Sequence, residues 1–77
     1  MWHVYFNFPY MAELGSGFDT LAEAIKAIES AGIPKWNIEI VSDNFGIGGR
    51  HIVVWSMNRS TWVNKRTGNS IEQEGWV

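Results

Sequence analysis

The sequence predicts a two-layer α+β domain, with one helix packed on a mixed, mostly antiparallel sheet of four or five strands. Three observations lead there. Residues 20–32 carry helix-start and helix-stop residues around an apolar stripe. Several other segments alternate apolar and polar side chains, the period of a strand with one buried face. The length of 77 residues allows a single domain, 1–77, and one modest core.

Along the chain, residues 2–8 form the first strand. Trp2, Val4, Phe6 and Phe8 point one way, His3, Tyr5 and Asn7 the other, and Pro9 ends the ladder because it has no N–H to donate. Residues 9–17 read as a loop, since two glycines and a serine close the stretch. That loop also holds Tyr10, Met11 and Leu14. It serves either as a lid over the end of the core, the reading favoured in so small a domain, or as a binding loop with a pliable methionine contact.

The helix follows. Thr20 and Glu23 have the spacing of a capping box, and Leu21, Ala24, Ile25, Ile28 and Ala31 recur on one face. Gly32 is placed to take the left-handed turn that ends a helix, and Pro34 prevents a restart. Trp36, Ile38 and Ile40 then alternate with Asn37 and Glu39 as a second strand, and residues 42–49 are turn-rich. Residues 51–57 form a third strand that is apolar on both faces, Ile52 and Val54 on one and Val53, Trp55 and Met57 on the other. A fourth strand spans about 61–66, and residues 70–77 return as a short fifth strand ending in Trp76. The resulting order is β-α-β-β-β with one further edge strand. A crossover helix would make its first two strands parallel and right-handed.

Composition narrows the function classes. With no cysteine there is no disulfide framework and no thiolate metal or redox centre. No apolar run spans a bilayer and no secretion signal opens the chain, so the expected location is the cytoplasm and no membrane partner is expected. The histidines are His3 and His51, at no metal-ligating spacing, so no metal is expected. No nucleophile elbow occurs. Glu72 and Glu74, two apart near the C-terminus, suit a solvated sheet edge better than acid–base work. The glycines of Gly46-Ile47-Gly48-Gly49-Arg50 lack the third glycine and the following helix of a dinucleotide fingerprint, and lack the ending of a phosphate-binding P-loop. No catalytic residue and no cofactor is therefore expected, and the chain reads as a non-enzyme.

Two features remain. The first is an excess of large aromatics, eleven in 77 residues, more than one helix on one sheet readily encloses. The second is charge placement. Residues 1–44 hold six acids against two bases, residues 45–70 hold Arg50, Arg59, Lys65 and Arg66 with no acid, and the tail adds Glu72 and Glu74 for a net −2. The aromatic surplus points to a small protein-binding module whose partner is another protein or a second copy of itself. Val53, Trp55 and Met57 on a helix-free sheet face, joined by Trp62 and Trp76, would be the binding patch. A stand-alone inhibitor or adaptor of the phage accessory type suits such a chain. The alternative is single-stranded nucleic acid, its phosphates meeting Arg50, Arg59, Lys65 and Arg66 and a base stacking on Trp62.

Overall fold

A computed structural model describes residues 1–7, 10–42 and 50–76. Their elements run β1 (Trp2–Asn7), β2 (Met11–Phe18), α1 (Leu21–Ala31), a 3₁₀ turn (Lys35–Asn37), β3 (Ile38–Ser42), β4 (Ile52–Ser56) and β5 (Thr61–Asn64). The five strands make one sheet in the spatial order β2-β1-β3-β4-β5, and every pairing in it is antiparallel. One helix on one sheet is the two-layer α+β architecture that the alternation predicts.

The element order differs from expectation at residues 11–18. They are a strand, not a loop, hairpinned on β1 with Asn7 opposite Met11 and Val4 opposite Leu14. This added strand reverses the chain before the helix. β3 therefore returns antiparallel to β1, Val4 opposite Ile40, and the expected parallel pair and crossover do not form. Between Trp2 and Val4 the hairpin register slips, because β2 runs from Phe18 to Leu14 over the same span. Gly15 and Gly17 absorb the surplus at φ +71° and +121°, angles that L side chains rarely adopt.

The helix forms where its capping residues require. The Thr20 hydroxyl accepts from the Glu23 backbone N–H at 3.1 Å, and Gly32, at φ +67°, donates its N–H to the Glu29 carbonyl. Leu21, Ala24 and Ile28 are buried; Ala31, at the last turn, is exposed instead of joining the stripe. These residues pack on Val4, Ile38, Ile40 and Val53, with Trp2, Phe6, Leu14 and Phe18 around them.

That packing decides which row of the third strand meets the helix. Val53 is fully buried in this core and Trp55 packs against it. The Val53–Trp55 row therefore faces the helix layer, not the helix-free face. The residues opposite in register follow the same rule: Trp55 pairs with Trp62 and both rings lie on the core side, 5.3 Å apart and edge to face. The other row, Ile52 and Val54, shares the helix-free face with their register partners Val41 and Val63.

Three further boundaries move. Trp36 lies in the 3₁₀ turn and is 61% exposed, so it does not share the buried face of Ile38 and Ile40. β5 ends at Asn64 rather than near 66. Residues 70–76 are mostly turns, with one bridge from Ser70 to Val63, instead of a fifth strand. This segment closes over β5: Ile71 donates its N–H to the Trp62 carbonyl, and its side chain is buried in the core. Glu74 fastens it, accepting from Thr67 Oγ1 at 2.8 Å, Asn64 Nδ2 at 3.1 Å and Asn69 Nδ2 at 3.4 Å. The turn-rich expectation for 43–49 and the assignments of Phe8 and Pro9 lie outside the described residues. Among the described residues, no helix is long and apolar enough to cross a membrane.

Candidate functional site

The antiparallel register brings three connections to one end of the sheet. β1 ends at Asn7 opposite Met11, Phe6 lies opposite Ile38 at the start of β3, and β4 ends at Ser56 beside the turn 57–60. The exposed large apolar residues gather there. Met11 is 78% exposed, Met57 69%, Tyr10 67% and Trp36 61%, with Tyr5 on the neighbouring helix-free face. Among the described large apolar residues only Met1 is comparably exposed elsewhere.

A groove of about 490 Å³ opens beside three of them, Tyr5, Met11 and Trp36. Tyr5, Asn7 and Met11 come from the first hairpin, Trp36, Asn37 and Glu39 from the approach to β3, Val54 and Trp55 from β4, with Arg50 and Lys65 beyond. Its position follows from the sheet. In the β3–β4 ladder Ile40 lies opposite Val53 and Val41 opposite Ile52, whereas Ile38 and Glu39 pair with β1 and not with β4, although both strands continue. The groove lies where that ladder stops, and Ile38, Glu39, Val54 and Trp55 form its walls.

Charged groups brace the walls. Lys65 Nζ lies 2.7 Å from Glu39 Oε2, tying the segment after β5 to β3 across the helix-free face. Lys35 Nζ stands 4.2 Å over the Trp55 ring and 3.7 Å from Glu29 Oε2, linking the 3₁₀ turn to both β4 and α1. A second concavity of about 350 Å³ lies alongside, lined by Arg50, His51, Ile52, Asn64, Lys65 and Arg66.

The residues proposed from sequence divide between surface and core. Val53 and Trp62 are buried in the core, and Trp76 packs half-buried between the rings of Trp2 and His51, at 5.8 and 4.6 Å. Trp55 lines the groove from the core side and Met57 stands in the exposed turn, so the five do not form one open patch. In the basic set, Arg50, Lys65 and Arg66 converge, whereas Arg59 donates to the Gly68 carbonyl at 2.7 Å and to Gln73 Oε1. Trp62, 5% exposed, offers no face for a base.

Sequence reasoning passed over Tyr5, Met11, Trp36 and Arg50 as a group. The signal for Tyr5 was present, since the β1 alternation sets it opposite Trp2, Val4 and Phe6. Trp36 was hidden by its two-residue spacing from Ile38, which imitates a continuing strand.

His3 Nδ1 lies 2.9 Å from Glu13 Oε2, and His51 rests against Trp76. Among the described residues no three His, Asp or Glu side chains gather where they could hold a metal ion. Compared with protein-family models, curated proteins and solved structures, the chain matches none.

Proposed function

We propose that the chain is a small non-enzymatic protein-binding module that acts through the open end of its sheet, with Tyr5, Tyr10, Met11 and Trp36 as the contact surface. The observation that carries this reading is that three exposed side chains, Tyr5, Met11 and Trp36, line one groove. Scattered apolar residues on a surface need no explanation, but a contiguous group beside a concavity marks an interaction site. Tyr, Trp, Met and Arg are the residue types that interface centres favour, because they bury large area at low entropic cost or repack to fit. An accessory or inhibitory protein, blocking a partner by covering it, needs nothing more.

Single-stranded nucleic acid has less support. Protein–nucleic acid interfaces are far more positively charged than this chain, whose isoelectric point is about 5.5, and the proposed stacking ring is in the core.

The test compares the tagged protein with its Met11→Ser/Trp36→Ser variant in pull-downs from nuclease-treated lysate of the cell that harbours the gene. Both side chains are mostly exposed, so thermal unfolding should be little changed. A protein captured by the wild type and lost by the variant supports the reading. Capture indifferent to the substitutions, or a signal that vanishes with nuclease, overturns it.

A further inference from the structure

The two edges of the sheet differ in what their outward main chain meets. One hydrogen bond and the register fix the difference. Ser42 donates its N–H to the His51 carbonyl, so on β3 the main chain of Ile38, Ile40 and Ser42 points toward β4 and that of Glu39 and Val41 toward β1. Glu39 and Val41 lie opposite Tyr5 and His3, which leaves Val4 and Phe6 pointing toward β2. There they meet Leu14 and Ala12. On β2, therefore, Leu14 and Ala12 bond inward, and the N–H and C=O of Met11 and Glu13 point out of the sheet. β2 is an edge strand, and among the described residues no strand lies on that side. The outward groups of β5 are taken instead: the Trp62 carbonyl accepts from Ile71, and Asn64 donates to the Asn69 carbonyl.

We propose that an extended segment of the partner adds to β2 as a sixth strand, pairing its main chain with Met11 and Glu13 and seating an apolar side chain beside Ala12 and Leu14. This inference rests on the protein-binding reading above and names how the partner is held.

The geometry selects that occupant. N–H and C=O groups two residues apart on a strand match another extended main chain, whose hydrogen bonds give affinity while its side chains give selectivity. The core side of this edge is also unfinished. On the inner strands Val4, Ile40 and Val53 are fully buried, whereas Ala12 and Leu14, on the same face, are half-buried. A residue of the added strand opposite Ala12 shares that face and covers both. Met11 is at once a main-chain rung and part of the groove wall, which places the added strand next to the contact surface already described.

A second copy fits less well. Beyond Leu14 the register with β1 slips, so the straight part of the edge is short. Two copies joined from Met11 of one to Glu13 of the other set only Ala12 against Ala12 between them, and so small a pair covers little apolar surface. A foreign segment can bring a larger side chain to the same place.

The experiment selects displayed random linear peptides of about eight residues against the whole folded chain, then follows amide exchange by NMR as enriched peptides bind. Exchange should slow at Met11 and Glu13 and stay unchanged at Ala12 and Leu14, whose N–H groups already face β1. Enriched peptides should carry a β-branched or aromatic residue. N-methylation at alternate peptide amides should lower affinity about tenfold, and methylation of the amides between them should not; this comparison leaves the protein itself untouched. On the protein side, Glu13→Ala and Glu13→Pro both lose the carboxylate that meets His3 at 2.9 Å, and only the proline loses the outward N–H. An edge strand accepts proline where the N–H faces solvent. With folding checked by thermal melt, the proline variant should bind about tenfold more weakly than the alanine. Absence of enrichment, slowed exchange confined to residues other than Met11 and Glu13, or affinity indifferent to peptide N-methylation would overturn the proposal. So would slow exchange at Met11 and Glu13 in the chain alone that disappears on dilution, which assigns the edge to a second copy. A partner that requires the Met11 and Trp36 side chains yet leaves those two amides unchanged would retain the binding module and remove the sixth strand.

Discussion

Trp36 and Trp62 share a side chain and little else. Trp62 lies opposite Trp55 in the β4–β5 ladder with the core around it, so truncation removes a packed ring and leaves a cavity. Trp62→Ala is expected to cost about 3–5 kcal/mol in urea unfolding, whereas Trp36→Ser should stay within about 0.5 kcal/mol. The sequence offers no local means to tell them apart, because each sits at a strand-like spacing from its neighbours. What separates them is the 3₁₀ turn after Pro34, which rotates Trp36 away from the Ile38–Ile40 face. Another residue-scale expectation concerns Glu74. Hydrogen bonds from Thr67, then Asn64 and Asn69, hold its carboxyl below the ordinary glutamate range, against the opposing effect of desolvation. Folding therefore favours the ionised form. The stability this gives is complete above the unfolded carboxylate value and is lost as the pH falls through the lowered folded one. Thermal melts should accordingly show the wild type losing stability more steeply than Glu74→Gln as the pH drops below about 4.5, with the two curves converging in acid.

Among the elements, α1 was the most legible, because its cap, stripe and terminal glycine are each local signals and all three agree. β2 was the least legible. Its inward residues alternate as a strand requires, Ala12 and Leu14 facing in and Met11 and Glu13 facing out. Yet one inward member is only an alanine, and Gly15 and Gly17 give the segment the composition of a loop. Those glycines are where the register slips, and they do not cost the same to replace. A Cβ at Gly17 would stand 3.0 Å from Met1 Sδ and 3.1 Å from His3 Cε1, on a backbone at φ +121°. At Gly32 nothing lies within 4 Å, and φ is +67°. Gly32→Ala should therefore cost about 1 kcal/mol for the left-handed turn alone, and Gly17→Ala about 2–3 kcal/mol. Parallel denaturant titrations would check the order; equal costs would mean that the hairpin relaxes around the added methyl.

At the scale of the whole molecule, the two sheet edges are managed differently. β5 is closed by residues 69–76, through Asn69 to Asn64, Ile71 to Trp62 and the Glu74 cluster, while β2 is kept irregular by its glycines. Deleting residues 70–77 should strip Ile71 and Trp76 from the core side and bare the β5 edge. Light scattering coupled to size exclusion should then report association, where the intact chain stays uniform. Which face of β4 would meet the helix, and so which aromatics would be left outside, depends on pairings between residues far apart in sequence. Alternation reveals the two rows of a strand but not their destination. That is why the aromatic surplus was legible and its location was not. The same distribution gives the molecule an internal optical reporter. Of its five indoles, only that of Trp36 is exposed, so the red side of the intrinsic emission and its quenching by iodide belong largely to that ring. A partner seated in the groove would shift the emission to shorter wavelength and shield it from the quencher, and the event could be followed in the unlabelled protein.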